Sequence, residues 1–155
     1  MMVKNVTVFG AGLMGAGIAQ VAAQNGFKVV LSDVTEGALQ NGLQIIQKSL
    51  GRVAKKKFEG REGEVDAWKG QVLANIKMVT DPCQAVSSSD LVIEAIVENL
   101  KIKRDLFGFL DRKADPSCIF ASNTSSLSIG DIAGTCSAER LTRWVFVEVG
   151  DMEKD

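Results

Sequence analysis

The sequence predicts an α/β protein built on a doubly wound, mostly parallel sheet, with a helical hairpin inserted between two of its strands. Three observations predict it. A short β-branched and aromatic run, Val6, Val8 and Phe9, leads straight into Gly10, Gly12 and Gly15 in the order G-x-G-x-x-G, and an apolar helical stretch follows. A second apolar strand, Phe27 to Leu31, ends at Asp33, eighteen positions after Gly15. The run Leu91 to Ile96, interrupted only by Glu94, reads as a parallel strand covered on both faces. Together these features describe a Rossmann-type dinucleotide-binding fold.

Each glycine of the loop has a physical role. Gly10 permits the sharp turn, Gly12 lets a pyrophosphate touch the backbone, and Gly15 lets the following helix lie close on the strand. The unpaired N–H groups and positive dipole end of that helix, at Leu13, Met14 and Gly15, then face the phosphates. Loops without any ligand use the same glycine order, so it is the succession of strand, loop, helix and acid that carries the reading. Asp33 stands where a carboxylate reaches an adenosine ribose; the simpler alternative is that it ends a strand and caps a turn. Val34, Thr35 and Glu36 follow it, with no arginine to meet a 2′-phosphate, which favours NAD over NADP.

Met14, Ile18, Val21 and Ala22 form the apolar stripe of the first helix, and Asn25-Gly26 stops it. Leu39, Leu43, Ile46, Leu50 and Val53, spaced by fours and threes, predict a long helix from Glu36 to about Phe58. Val65, Trp68, Val72 and Leu73 predict a second helix folding back on it, so that residues 36–75 make a hairpin foreign to a minimal dinucleotide domain. Lys55, Lys56 and Lys57 crowd the end of the long helix, with Ser49 two turns before Lys56. A solvated face with cations at a helix C-terminus and a phosphate or coenzyme A docking site both fit that pattern.

Ile76 to Thr80 reads as a strand, and Asp81-Pro82 as an N-cap with proline at the first position of a brief helix through Val86. The strand Leu91 to Ile96 is predicted central, leaving Glu98 and Asn99 beyond its carboxyl end, where doubly wound folds bind ligands. Ile102, Leu106, Phe109 and Leu110 give the next helix its buried stripe, with Lys103 one turn in. A strand from Ser117 to Ala121 ends in Ser122-Asn123-Thr124-Ser125-Ser126, hydroxyls and an amide again at the carboxyl edge. They read equally as caps for a short helix around Ile129 to Ala133. Leu141 to Val149 alternates as a last strand, with Arg143 awkward on its apolar face.

At 155 residues the chain suits one ordinary domain, and with 46% hydrophobic residues, 24% charged and a net charge of −1 it carries no nucleic-acid footprint or bulk attraction to a membrane. No apolar run is long enough to span a bilayer, and the first strand begins almost at once, so a soluble intracellular protein without a transit peptide is expected. Cys83, Cys118 and Cys136 are odd in number and in no metal-binding spacing, which predicts buried free thiols and no metal site. The chain contains no histidine, which removes the commonest general base.

Four motifs occur in one order: Gly-Ala-Gly-Leu-Met-Gly, Val-Ala-Lys-Lys-Lys-Phe, Ile-Glu-Ala-Ile-Val-Glu-Asn and Ala-Ser-Asn-Thr-Ser-Ser-Leu. In these the chain closely resembles the L-3-hydroxyacyl-CoA dehydrogenases of fatty-acid β-oxidation, from about Val3 to Leu141. The resemblance implies an NAD-binding domain at residues 1–141, a divergent tail at 142–155, and no C-terminal helical dimerisation domain, as in a truncated or alternatively spliced product. It implies that Gly10, Gly12, Leu13, Met14, Gly15 and Asp33 hold NAD, that Glu98, Lys103 and Asn123 lie by its nicotinamide half, and that Ser49 and Lys56 face the coenzyme A moiety of an acyl-CoA substrate. Ser125 then bonds the substrate's reacting oxygen beside the cofactor. In the family a later strand, Gly-Leu-His-Phe-Phe-Asn-Pro, carries the histidine that takes the hydroxyl proton as hydride leaves; here the counterpart runs from Thr142 to Glu148 and Val145 falls at the histidine position. The implied function is the NAD-binding domain of a 3-hydroxyacyl-CoA dehydrogenase with little or no activity as this chain. A non-catalytic NAD-binding module and a related β-hydroxyacid dehydrogenase are the other readings. Eukaryotic members are often mitochondrial, and the family's homodimer is not expected without its second domain.

Overall fold

The computed structural model describes residues 2–124 and 127–146. Val6 and Val8 alternate with Thr7 and Phe9 along β1 (Asn5–Phe9), and all four are buried, as a strand covered on both faces requires. The chain turns at Gly10 into α1 (Leu13–Gln24), stops at Asn25-Gly26, where Gly26 takes φ +87°, and returns as β2 (Lys28–Ser32). Then follow α2 (Glu36–Lys57), a 3-10 turn at Glu62–Glu64, α3 (Val65–Ala74) and β3 (Ile76–Val79). The second half runs through α4 (Pro82–Val86), β4 (Leu91–Glu94), α5 (Leu100–Lys113), β5 (Ile119–Ser122), α6 (Ile129–Ala133), α7 (Ala138–Leu141) and β6 (Trp144–Phe146).

The strands lie in the order β3-β2-β1-β4-β5-β6, and every pairing is parallel, so the expected mostly parallel sheet is parallel throughout the described residues. The chain winds outward from β1 to β3, then crosses back to lay β4 on the other side of β1. The winding therefore reverses between β1 and β4. Ala16, Ala19 and Ala23 of α1, Leu39, Ile46 and Leu50 of α2 and Val72 of α3 pack on one face of the sheet, against Val6, Val8 and Leu31. Ala85 and Val86 of α4, Phe107 and Leu110 of α5 and Ile132 of α6 pack on the other, against Phe9, Val92 and Phe120.

The hairpin forms as expected, closed by Phe58 and Trp68 with ring centroids 5.5 Å apart and by Lys57 and Arg61 lying over those rings. Thr35 caps α2 by accepting from the Ala38 N–H at 3.1 Å, and Asp81 caps α4 by accepting from Cys83 at 2.9 Å. Two helices sit rotated from their predicted faces. In α1, Ile18 is buried and Ala22 packs against the core as expected, but Met14 and Val21 are exposed and the small residues Gly15, Ala16, Ala19 and Ala23 face the sheet, because close packing behind the glycine loop leaves little room for larger ones. In α5, Ile102 is exposed, Leu106 and Phe109 are half-buried, and Lys103, Phe107 and Leu110 are buried. Among the thiols Cys118 is buried but Cys83, near the start of α4, is exposed. Leu141 ends α7 and Arg143 lies in a turn, so the last strand starts only at Trp144; its predicted extension to Val149 lies outside the described residues. No helix among the described residues is long and apolar enough to cross a membrane.

Candidate dinucleotide site

One row of register partners crosses the carboxyl end of the sheet: Val79, Ser32, Phe9, Glu94, Ser122 and Phe146. Thr80, Asp33, Gly10 and Ala95, which follow the first four of these residues, leave the strands together and line a cleft at the reversal of winding, the place where doubly wound sheets bind ligands. The cleft has a volume of about 590 Å³ and is lined by the Gly10–Gly12 loop, Ser32, Asp33, Val34, Thr80, Pro82 and Ala95 to Val97.

The glycines divide as their expected roles require. Gly10 takes φ +107°, and a side-chain carbon there would stand 2.4 Å from the Ala95 carbonyl oxygen. A carbon on Gly15 would stand 1.7 Å from the Gly10 oxygen, so only glycine lets α1 seat on the turn. At Gly12 no atom lies within 4 Å, and the backbone faces open space. Gly12 is also the N-cap of α1, with no side chain capping it, so the first N–H groups of the helix, at Leu13, Met14 and Gly15, keep donors for an anion. Gly42 of α2 presses on the same loop from outside, within 2.9 Å of Ala11 measured from its would-be side-chain carbon.

Asp33 ends β2 and ties the turn that follows, the simpler of the two roles weighed for it. Its Oδ2 accepts from the Ala11 N–H at 2.8 Å and its Oδ1 from Val34 at 2.7 Å, strapping the end of β2 to the glycine loop. It also lines the cleft, with Val34 86% exposed beside it and no cation among the lining residues to receive an extra phosphate. An open backbone at Gly12, free donors at the start of α1 and a carboxylate at the next strand end are what a pyrophosphate and a ribose diol require, so the residues fit NAD.

Across the cleft the structure brings Glu98, Lys103 and Asn123 together around a residue that sequence reasoning missed. Glu94 is fully buried: its Oε1 accepts from Ser122 Oγ at 2.5 Å and its Oε2 from the Ile96 N–H at 2.8 Å. Lys103 Nζ, also fully buried, lies 3.0 Å from Glu94 Oε2 and 3.1 Å from Glu98 Oε1, close ion pairs whose angles fall short of aligned hydrogen bonds. Thr124 Oγ1 donates to Glu98 Oε1 at 2.6 Å, and the Asn123 N–H donates to the Glu94 carbonyl at 2.9 Å. None of Glu94, Glu98, Lys103 and Asn123 lines the cleft itself; they stand beside its Ala95–Val97 wall, with Lys103 fully buried and Glu98 partly exposed. A signal for the cluster does exist, because a lone carboxylate inside an apolar central strand needs a buried cation, and Lys103, Phe107 and Leu110 share helical spacing.

The remaining candidates lie elsewhere. Ser49 is half-buried and Lys56 exposed, seven positions apart on α2, and neither lines the cleft. Lys56 stands fourteen residues beyond Gly42, about 21 Å along the helix axis. Ser125 lies outside the described residues. Among the described residues no group of three metal-ligating side chains converges.

Comparison with known proteins places this geometry. Residues 5–146 match the family model for the 3-hydroxyacyl-CoA dehydrogenase NAD binding domain. The mitochondrial hydroxyacyl-coenzyme A dehydrogenase of Rattus norvegicus is 50% identical over 138 residues, 89% of this chain and 44% of that protein. A probable 3-hydroxybutyryl-CoA dehydrogenase of Deinococcus radiodurans is 47% identical over 126 residues, 81% of this chain and 43% of its own length. The crystal structure of (S)-3-hydroxybutyryl-CoA dehydrogenase from Ralstonia eutropha superposes with a TM-score of 0.85 at 35% identity, covering 95% of this chain and 49% of the other. The chain thus spans less than half the length of these relatives. Cleft, glycine loop and sequence agree: the chain belongs to the 3-hydroxyacyl-CoA dehydrogenase family, as its NAD-binding domain.

Proposed function

We propose that this chain holds NAD across the cleft, with Asp33 on the adenosine ribose, the backbone at Gly12 to Gly15 on the pyrophosphate, and Glu98 and Asn123 beside the nicotinamide. NAD, when bound, supplies the hydride acceptor for oxidation of a 3-hydroxyacyl-CoA to the ketone. The observation that carries the reading is the open backbone at Gly12 facing Asp33 at the reversal of winding. Ser49 and Lys56 are the handle for the coenzyme A moiety, on the outer length of α2 where a long substrate reaches them, and Ser125 is the hydrogen-bond partner of the reacting oxygen. The mitochondrial designation of the Rattus norvegicus relative supports action in the mitochondrion.

With no histidine in 155 residues, and Val145 where the family motif has one, this chain by itself binds the cofactor and transfers hydride very slowly. A missing general base costs about 10²–10⁴-fold. A fluorescence titration with NADH, followed in the same cuvette by a short 3-ketoacyl-CoA, tests both halves of the proposal. Saturable binding without decay is the expected result. Steady NADH consumption would overturn the expected inactivity, and absence of binding would overturn the site.

A further inference from the structure

The buried cluster under the cleft does more than neutralise charge. Replacing a buried ion pair by apolar side chains of similar volume is often neutral or stabilising, so stability alone gives little reason for Glu94 and Lys103 to be there. What a carboxylate supplies that a leucine does not is direction. Each of its two oxygens fixes a different segment: Oε1 holds Ser122 at the end of β5, and Oε2 holds the Ile96 N–H in the loop that leaves β4. Its own carbonyl receives the Asn123 N–H, and its counter-ion Lys103 reaches past it to Glu98, which Thr124 also holds. All these groups belong to the β4–β5 side of the cleft, the side that takes the second nucleotide of a dinucleotide in a doubly wound sheet. The glycine loop and Asp33, on the β1–β2 side, are tied by separate bonds.

We propose that Glu94 is the positioning residue of the nicotinamide half of the site, setting the loop at residues 95–98 and the strand end at Asn123 and Thr124 at a fixed separation, with Lys103 as the strut that carries this placement to Glu98. The inference rests on the cleft being a dinucleotide site.

The test is a split between two ligands that share one half. Titration of the intact chain with NADH, and competition by ADP, which carries only the adenosine half, are measured for the wild type, Glu94→Gln and Ser122→Ala. Glu94→Gln keeps the shape and loses the charge; it is expected to weaken NADH about tenfold and to leave ADP within about twofold, a loss in the range of a charged hydrogen bond. Ser122→Ala is expected to shift NADH about threefold in the same direction and to spare ADP. Equal loss of both ligands, or no loss of either, would overturn the proposal. If Glu94→Gln does not fold, the Ser122→Ala split decides alone. A wild-type chain that binds neither NADH nor ADP would instead overturn the nucleotide site itself, and the positioning role with it.

Discussion

A methyl group added to Gly15 collides with the Gly10 carbonyl, whereas one added to Gly12 meets nothing, so two alanine substitutions three positions apart have opposite signatures. Gly15→Ala is expected to cost about 3 kcal/mol or more of stability, read from a thermal melt. Gly12→Ala is expected to leave the melt unchanged and to weaken NADH, because the space it fills belongs to the pyrophosphate. In the same assay Asp33→Ala should weaken NADH, and Lys56→Ala should weaken acyl-CoA and spare NADH; equal loss of both ligands in both variants would point to unfolding. Arg140 presents the sharpest purely structural case. It is 3% exposed, donates to Asp111 Oδ1 at 2.9 Å and to the carbonyls of Asp115 and Cys118 at 2.8 and 2.6 Å, and stacks on Phe120 at 4.4 Å. Arg140→Met strands those acceptors and should cost about 3–5 kcal/mol, with Arg140→Lys recovering little of it. The glycines and Asp33 are legible in the sequence because their spacing is local. Arg140 is not, because its side chain is held by partners more than twenty residues away, and Glu94 is only half so: its apolar strand context and Lys103 are near in sequence, but Ser122 lies twenty-eight residues on.

Periodicity finds the helices and misjudges two of their faces. The counting of apolar residues favours Ile102 and Met14, yet the structure buries Lys103 in one helix and a row of alanines in the other. Packing distance decided in α1, where close approach to the strand selects small side chains, and charge pairing decided in α5. The cap at Asp81 is legible in the sequence because it bonds a neighbour two positions away; Thr35, not read there as a cap, bonds Ala38 in the same local way. Thr35→Ala should cost about 1 kcal/mol and melt a few degrees lower, while leaving Asp33 in place to bind NADH. The hairpin is legible as two helices, but its closure is not: Trp68 meets Phe58 across the turn, and Lys57, read in sequence as part of a cationic patch, spends its charge over those rings.

The molecule as a whole has two pH limits. Backbone N–H groups of Asn5 and Lys4 hold the Asp90 carboxyl below its ordinary 3.8, and at Asp111 burial, which raises the value, is outweighed by bonds from Arg140 and Ser137, which lower it. A lowered folded value means stability that is complete above about pH 4 and is lost as the pH falls through the folded values. At the other end burial pushes Cys118 and Cys136 up from 9.0 to about 11, so the folded state keeps protons that the unfolded chain releases, and stability falls as the pH rises from 9 towards 11. Melting temperatures across pH 3 to 11 should therefore show a plateau between these limits, and Asp90→Asn should soften the acid edge. The central place of β4 is legible in the sequence because its near-continuous apolar run marks a strand covered on both faces; the last strand is legible as an alternating run, but its start at Trp144 is not, because a turn closed by the Arg143 N–H on the Arg140 carbonyl sets it. The sheet's two coverings also differ in a spectroscopic respect. Of the chain's two tryptophans, Trp68 packs with the α1–α3 layer and Trp144 meets Phe107 edge-to-face within the other. Each layer thus carries its own intrinsic fluorophore, and the pair of single-tryptophan variants, Trp68→Phe and Trp144→Phe, reports one layer apiece. Coincident denaturation curves would make the domain one cooperative unit, whereas separated midpoints would show which covering layer leaves the sheet first.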